Sequence, residues 1–324
     1  MTTKKIVYVT GCAGFIGSHV AALCLKNGWY VIGVDKMTYA ADQTVIDSFH
    51  KVYGDKFKMI YSDINDLKFL YDCDYIINCA AETHVGNSIV DSDDFIHSNI
   101  NGVHNLLELL RGYRQENGRT PVLVHFSTDE VYGDITGGAH TETDMLKPSN
   151  PYSATKAAAD MLIKAWNRTY GIPYIIVRPT NNYGIGQYVE KLIPKAVKYL
   201  HLGRKIPLHN NGTPVRTWLN AIDTATAIMT ILEHGAINEI YNISSGFEQS
   251  NEQTVRDILD VWETVTGEKL VYDDHVDLGV VRDGQDVRYS LDDSKLRKLG
   301  WKPVSKFKEA LLPIVKHYYK KFIW

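Results

Sequence analysis

Two adjacent carboxylates follow a threonine at the end of a hydrophobic run, in the stretch STDEVYG at 127–133. Asp129 and Glu130 would repel each other if both were buried and ionised, so a shared site would push their protonation states apart. One protonated and one ionised carboxyl group form a pair suited to general acid–base catalysis. Taken alone, two adjacent acids are more typical of a helix start or a solvated turn, but their place after a buried strand favours catalysis.

A second candidate functional motif is the glycine run in VTGCAGFIGS at 9–18. Gly11, Gly14 and Gly17 follow a predicted strand and open a predicted helix, where backbone N–H groups can approach a pyrophosphate. Asp35 ends the next predicted strand, where a carboxylate can accept both ribose hydroxyls and would repel a 2′-phosphate. The pattern therefore predicts a dinucleotide site that prefers NAD to NADP. A plain tight turn remains the alternative.

A tyrosine and a lysine stand four residues apart in NPYSATKAAAD at 150–160. Asn150 can cap a helix and Pro151 suits its first turn, so Tyr152 and Lys156 are predicted to share one helical face. An ammonium group, together with the positive nicotinamide ring of NAD⁺, would stabilise the phenolate and make the tyrosine a base toward an alcohol. The spacing alone is common on helix surfaces, and its place after the glycine run favours catalysis.

The elements that must position these residues form an alternating pattern. Apolar, β-branched runs without in–out alternation predict strands buried on both faces, as in a parallel sheet. Such runs lie at 5–10, 30–35, 57–64, 75–81, 122–128 and 172–179, and helical patterns lie at 16–28 and 252–265. Alternation of this kind predicts an α/β fold, a doubly wound parallel (Rossmann) sheet with a smaller C-terminal α/β substrate lobe. We expect residues 1–176 to bind NAD and residues 177–324 to bind substrate, with segments exchanged between the lobes.

Composition limits the classes of partner. The 324 residues are 44% hydrophobic and 23% charged with a formal net charge of −3, which does not indicate a nucleic-acid or membrane-surface binder. No apolar run is long enough for a signal segment or a membrane span. The four cysteines show no CxxC spacing, so we expect free buried thiols, no metal site and a cytoplasmic protein.

Several motifs together resemble the extended short-chain dehydrogenase/reductase family, and within it the nucleotide-sugar 4,6-dehydratases of the dTDP-glucose 4,6-dehydratase type. They run through nearly the whole chain as TGCAGFIGSH, DKMTYA, AAETHV, STDEVYGD, NPYSATKAAAD, NNYG, EKLIP, VRTWL and RDGQDVRYSLDDSKLRKLGWKP. The most specific is Thr-Asp-Glu before Val-Tyr-Gly. Related epimerases carry small residues in place of Asp129 and Glu130, and related sugar-acid decarboxylases typically keep only the glutamate.

The resemblance implies a mechanism for the three catalytic groups and their two supports. Tyr152, aided by Lys156, would take the proton of the C4 hydroxyl of an NDP-glucose, and Thr128 would hold the same oxygen. Glu130 would remove the C5 proton, and Asp129, kept protonated, would protonate the departing C6 hydroxyl. The implied product is a 4-keto-6-deoxy sugar of a deoxysugar (rhamnose-type) pathway, formed without net consumption of NAD⁺.

The resemblance also implies binding residues and a homodimer. The cofactor set is Gly11, Gly14, Phe15, Ile16, Gly17, Asp35, Lys36, Thr38, Asp63, Ile64, Ala80, Ala81, Thr83, Ser98, Tyr152, Lys156 and Asn182. The substrate set is His84, Thr128, Asn181, Lys191, Leu192, Pro207, His209, Arg216, Asn251 and Arg282, in which the arginines would pair with the phosphates.

The chain departs from the family pattern at three places. Gly86-Asn87 replace Asp-Arg, His209 stands where a tyrosine is frequent, and Asp283 and Gln285 replace proline and histidine. The last two lie where the base and ribose should bind, so both dTDP-glucose and UDP-glucose remain possible substrates. The alternatives are a UDP-sugar 4-epimerase or decarboxylase on the same fold, against which the acid pair argues, and a non-catalytic NAD-sensing protein, which would need none of these catalytic groups.

Overall fold

The computed structural model describes residues 4–280 and 286–321 and contains a seven-stranded parallel sheet. The strands of the chain are β1 Ile6–Thr10, β2 Tyr30–Asp35, β3 Phe57–Tyr61, β4 Tyr75–Asn78, β5 Val122–Phe126, β6 Tyr174–Pro179, β7 Asn181–Tyr183, β8 Ile206–His209, β9 Val215–Asn220, β10 Glu239–Ile243, β11 Glu248–Ser250 and β12 Val276–Val280. In the large sheet their order is β10-β6-β5-β4-β1-β2-β3. The predicted doubly wound α/β fold is confirmed.

The helices alternate with these strands through the first half of the chain. They are α1 Phe15–Lys26, α2 Gln43–Tyr53, α3 Val85–Val90, α4 Asp93–Phe95, α5 Gly102–Asn117, α6 Pro151–Tyr170, α7 Leu192–His201, α8 Ala221–His234, α9 Asn251–Thr266, α10 Tyr272–His275, α11 Ser294–Arg297 and α12 Phe307–Lys320. Short 3₁₀ helices span Gly54–Lys56, Asp129–Tyr132 and Asn210–Gly212, and a π-helical turn spans Ile96–Asn101. Within the described ranges, no helix is long and apolar enough to cross a membrane.

The core lies on both faces of the large sheet. One apolar cluster joins the sheet to α1 and α8, through residues such as Val20 and Ile228. The other joins the opposite face to α5 and α6, through residues such as Leu106 and Ile163. Burial on both faces explains why the strands lack in–out alternation.

Segments from the second half of the chain complete the large sheet. Strand β10 pairs in parallel with β6, with Glu239 opposite Ile175 and Ile243 opposite Pro179, and α8 packs on α1. The predicted division after residue 176 therefore falls inside β6, and the division into lobes stays a prediction. The remaining strands form a β11-β9-β7 sheet and a β12-β8 pair over a separate core of α7, α9 and α12.

A buried ion pair ties α6 to the sheet directly beneath the carboxyl edge. The Arg178 guanidinium of β6 donates from Nη2 to Asp160 Oδ2 of α6 at 2.8 Å, and both side chains are at most 1% exposed. Ser127 donates to the same oxygen at 3.1 Å, so the end of β5 is fixed to the pair as well. Removing one partner would leave a buried charge without compensation.

We predict that Arg178→Met lowers the free energy of unfolding by about 3–5 kcal/mol, because Asp160 loses its buried partner. Denaturant unfolding measures this change. The matched control is Lys306→Met, which removes an exposed partner of Glu309 and should cost less than about 1 kcal/mol. Equal, small losses in both variants would contradict the role given to the buried pair.

Candidate active site

The glycine run brings backbone close to backbone between β1 and α1. Gly11 has a left-handed φ of 66°, and a Cβ there would lie 2.8 Å from the backbone nitrogen of Ala80. A Cβ on Gly17 would lie 2.0 Å from the Gly11 carbonyl oxygen. Helix α1 begins after Gly14 without a side-chain cap, so its first N–H groups are available to an anion. The loop thus has the shape and polarity that a pyrophosphate requires.

Asp35 is held at the end of β2 by two backbone donors. The N–H of Ala13 donates to Oδ2 at 3.0 Å, and the N–H of Met37 donates to Oδ1 at 2.8 Å. Burial raises the pKa of this carboxyl, and the two N–H groups oppose that rise by stabilising its charge. Each oxygen keeps a lone pair for a ribose hydroxyl, which agrees with the role predicted for Asp35.

The acid pair lies in the 3₁₀ turn that follows β5. The Thr128 hydroxyl donates to Asp129 Oδ1 at 3.0 Å and accepts the Glu130 N–H at 3.3 Å. Asp129 is 3% exposed, and its Oδ2 has no hydrogen-bond partner in the described part of the chain. Burial first, and the charge of Glu130 second, raise the pKa of Asp129 to about 7. The Asp129 carboxyl is therefore suited to carry a proton near neutral pH.

Glu130 has a different environment, although it is the next residue. Its side chain is partly buried, and Oε2 accepts from Asn150 Nδ2 at 3.3 Å and from the Tyr289 hydroxyl at 3.4 Å. Burial raises its pKa, but the Arg216 guanidinium and the Asn150 amide counter the rise. Two donors and a nearby cation favour the ionised form of Glu130, as a base requires.

Helix α6 carries the tyrosine and the lysine. Asn150 and Ser153 form a reciprocal capping box, and Pro151 occupies the first turn, as predicted from the sequence. Tyr152 is 7% exposed, and burial together with the charges of Glu130 and Asp129 raises its pKa. The protein alone therefore disfavours the phenolate, although the Thr128 hydroxyl lowers the Tyr152 pKa. Stabilisation of the phenolate by Lys156 and by the nicotinamide ring stays a prediction.

Three loops meet at the opening of the cleft. Lys191 Nζ donates to the Thr83 carbonyl oxygen at 3.0 Å and lies 3.3 Å from Glu190 Oε1. The rings of Tyr39 and Tyr188 meet edge to face at 5.1 Å between centroids. The loop after β7 is thus joined to the loop after β4 through Lys191 and Thr83, and to the loop after β2 through Tyr188 and Tyr39, across the cleft that contains the glycine run and the acid pair.

The model of one protein family matches residues 8–312, a span that covers nearly the whole chain; its description is GDP-mannose 4,6 dehydratase. The chain belongs to this family.

Relatives and solved structures agree with the family match. A dTDP-glucose 4,6-dehydratase of Haemophilus influenzae is 38% identical, over 96% of this chain and 97% of its own length. A trifunctional UDP-glucose 4,6-dehydratase, 3,5-epimerase and reductase of Arabidopsis thaliana is 36% identical, over 99% of this chain and 48% of its own length. The crystal structure of a dTDP-glucose 4,6-dehydratase of Streptomyces venezuelae, with NAD and TYD bound, has a TM-score of 0.89 and 35% identity, and the match covers 97% of each chain. The fold is that of the extended short-chain dehydrogenase/reductases.

One cavity gathers most of the residues proposed for this dehydratase-family site. Its lining includes the cofactor candidates Gly11, Gly14, Phe15, Ile16, Gly17, Asp35, Lys36, Thr38, Asp63, Ile64, Ala80, Ala81, Thr83, Ser98 and Asn182, together with Thr128, Asp129, Glu130, Tyr152, Asn181 and Lys191. The glycine run and the acid pair thus open on the same space. Their individual binding roles stay predictions.

The other proposed residues lie outside that lining. They are Lys156, His84, Leu192, Pro207, His209, Arg216 and Asn251. Lys156 is 2% exposed, and burial lowers its pKa to about 8. Arg216 donates to the backbone oxygens of Val215 and Asp286, and its guanidinium lies over the Tyr289 ring. Arg282 falls outside the described residues, as do Asp283 and Gln285.

Some lining residues were not predicted. Glu82, Gln187, Tyr188 and Glu190 border the cavity, and Tyr289 contacts Glu130. Glu190 precedes Lys191 in EKLIP, and Glu82 lies in AAETHV, so both glutamates could have been predicted as site residues from motifs already identified. For Tyr289, the contact joins residues 159 positions apart, which spacing does not predict. The described residues include no cluster of three or more His, Cys, Asp or Glu side chains that could hold a metal ion.

We predict that Gly17→Ala weakens dinucleotide binding at least about tenfold, because the new Cβ meets backbone that cannot move aside. The dinucleotide retained by the purified protein, and its affinity by calorimetry, measure the effect. The matched control is Gly112→Ala in α5, where nothing lies within 4 Å of the new Cβ and affinity should not change. Retained affinity in Gly17→Ala would show that the loop is not the pyrophosphate site.

Proposed function

We propose that this protein is an NAD-dependent NDP-glucose 4,6-dehydratase, a hydro-lyase that converts dTDP-glucose or UDP-glucose to the 4-keto-6-deoxy sugar. The observation that carries the proposal is the pair of adjacent carboxyl groups in different environments beside a buried tyrosine. Asp129 is buried with a pKa raised to about 7, and Glu130 faces two donors and Arg216. An elimination of water needs an acid and a base within reach of the same sugar.

The residues of the cleft fit NAD. Gly11 and Gly17 lie where a Cβ would meet the backbone, and the Asp35 carboxylate, which would accept the ribose hydroxyls, is held at the end of β2 by two N–H donors. The carboxylate of Asp35 also favours NAD over NADP, because it would repel a 2′-phosphate. When bound, NAD⁺ supplies the acceptor for the C4 hydride of the sugar and the donor that returns it to C6.

Tyr152 begins the reaction by accepting the proton of the C4 hydroxyl. Its burial and its negative neighbours oppose phenolate formation, so the positive groups of the assembled site lower the cost of that step. Thr128 lies within hydrogen-bond reach of the acid pair and orients the same C4 oxygen. The resulting C4 ketone makes the C5 hydrogen acidic.

The elimination follows from the two carboxyl groups. Glu130 takes the C5 proton, the C5–C6 double bond forms, and the C6–O bond breaks as Asp129 gives its proton to the departing hydroxyl, which leaves as water. When the hydride has returned to C6, a proton returns to C5.

Because Asp129 acts in its protonated form, the rate of water loss should fall as the pH rises through about 7.

The acid pair also distinguishes this reaction from the alternatives. A 4-epimerase oxidises and reduces C4 without elimination, and an NAD sensor performs no chemistry, so neither needs an acid beside a base. A decarboxylase loses carbon dioxide and has no departing hydroxyl to protonate. The buried, proton-bearing Asp129 therefore favours dehydration.

Pathway, assembly and location are extensions of this proposal. The product class suits a deoxysugar, rhamnose-type pathway in the cytoplasm, with a nucleotide-diphosphate glucose as small-molecule partner and neither nucleic acid nor membrane involved. The family resemblance supports a homodimer. Light scattering should give about twice the 36.6 kDa chain mass, and a clean monomer would remove this expectation.

The function is tested by incubating the purified protein, shown to contain NAD, with dTDP-glucose and with UDP-glucose in parallel. Mass spectrometry and NMR of the sugar should show loss of one water and a C6 methyl group, and the faster nucleotide is the physiological candidate. The relatives named above include one dTDP-glucose 4,6-dehydratase and one UDP-glucose 4,6-dehydratase. An unchanged mass with inversion at C4 would establish an epimerase, and no reaction with either sugar would contradict the proposal.

We predict that Asp129→Asn leaves C4 oxidation intact but slows water loss by about 10²–10⁴-fold, because an amide cannot donate the proton. Enzyme-bound NADH should then accumulate, which its near-ultraviolet absorbance reports. Tyr152→Phe is the contrasting variant, in which NADH should not appear because the C4 hydroxyl has no base. Wild-type turnover by Asp129→Asn would show that the acid is another group.

A further inference from the structure

A row of buried polar side chains crosses the carboxyl edge of the large sheet and ends at the lysine of α6. Thr10, Asn78 and His125 are register partners on the adjacent strands β1, β4 and β5. The three side chains and Lys156 are each at most 2% exposed, and none of the four lines the cofactor cavity. Polar groups in an apolar core are costly unless they bond to each other, so this row requires an explanation.

The atoms of the row are spaced as a continuous hydrogen-bonded chain. Thr10 Oγ1 lies 2.6 Å from Asn78 Oδ1, and Asn78 Nδ2 lies 3.0 Å from His125 Nδ1. His125 Nε2 lies 3.5 Å from Lys156 Nζ. At its other end, Thr10 Oγ1 accepts the N–H of Ala80, the residue that Gly11 approaches in the dinucleotide loop. The row therefore joins the cofactor loop to the catalytic lysine.

Proton positions in the row depend on the charge of Lys156. An ammonium only donates, so His125 Nε2 must accept and the imidazole proton must sit on Nδ1. The structure has Asn78 Nδ2 toward Nδ1, so beside an ammonium the Asn78 amide must rotate by half a turn to present its oxygen to Nδ1–H. A neutral amine can accept from Nε2–H, and Asn78 then donates to Nδ1. Each protonation state of Lys156 thus matches one arrangement of the row.

The surrounding charges keep His125 neutral. Burial and the positive charges of Lys156 and Arg178 lower its pKa well below the usual value. Around Lys156, burial lowers the pKa to about 8, whereas Asp160, one turn along α6, and Cys79, after β4, oppose that fall. A neutral imidazole at Nε2 is thus the acceptor that helps the buried ammonium persist.

We propose that His125 is a positioning residue that holds Lys156 in its ammonium form by accepting a hydrogen bond from it at Nε2, with Asn78 turned to accept from the imidazole Nδ1–H. The inference rests on the proposed function, because the charged lysine serves Tyr152 in C4 oxidation. The row also connects Ala80, which Gly11 approaches, to Lys156 through hydrogen-bonding side chains.

The test isolates C4 oxidation from water loss. The 6-deoxy analogues of dTDP-glucose and UDP-glucose have no C6 hydroxyl to lose, so NADH formed in the NAD-loaded enzyme reports oxidation alone. In the wild type, the oxidation rate should fall as the pH rises through the pKa of Lys156. In His125→Phe, this fall in the oxidation rate at high pH should occur about one pH unit lower, because the ammonium loses a charge-assisted acceptor.

Two further variants keep the test decisive. His125→Gln offers an amide oxygen to Lys156, so the fall in rate should return most of the way to its wild-type pH. Asn78→Leu removes the acceptor of the imidazole Nδ1–H, so the fall should move to lower pH, as in His125→Phe. If His125→Phe does not fold, these two carry the comparison. If the fall in rate stays at its wild-type pH, or if the rate is reduced equally at every pH, the row has a structural role only and the proposal is overturned.

A second readout does not depend on activity. In protein with ¹⁵N-labelled histidine, NMR distinguishes Nδ1–H from Nε2–H, and the signal absent from His125→Gln belongs to His125. Below the pKa of Lys156 we expect Nδ1–H; an Nε2–H tautomer there would overturn the proposal. Failure of the wild type to oxidise either analogue would instead contradict the proposed function, while the tautomer would still decide the role of the row.

Discussion

The burial of Asp129 next to Glu130 is the constraint around which the active site is arranged. Two carboxyl groups this close cannot both be ionised in a dry site without a large cost. The structure resolves the conflict by giving Asp129 the more buried position and Glu130 the hydrogen-bond donors. The difference in environment between the two neighbours, set by one 3₁₀ turn after β5, suits the roles of acid and base that we propose for them.

That turn is stable because the sheet below it is fixed. Ser127 bonds to Asp160, which pairs with Arg178 of the neighbouring strand, so β5, β6 and α6 converge under the acid pair. The same helix begins with the capping box of Asn150, whose side-chain amide also reaches Glu130. Tyr152 follows two residues later, so one short segment sets both the helix start and the position of the base that we propose.

Much of this arrangement could be predicted because it depends on local sequence. The glycine run, the Asn150 cap and the buried strands are each coded within about ten residues. The cap and the parallel strands are confirmed, and the dinucleotide-binding role of the glycine run stays a prediction. The contacts that were missed join distant parts of the chain. Tyr289 reaches Glu130 from 159 positions away, and β10 enters the large sheet beside β6 after the second lobe has begun. His125 gave only a weak signal, a single ionisable residue within an apolar strand.

The most direct test of the account is a crossover experiment on the hydride. The enzyme converts a mixture of two substrates. One is deuterated at C4, and the other contains no deuterium but has ¹³C at every carbon of its glucose. The two products are then distinguished by mass. The account predicts deuterium at C6 only in the product without ¹³C, because the hydride returns to the sugar molecule that it left. Deuterium at C6 of the ¹³C product, or its loss to solvent, would contradict the central claim.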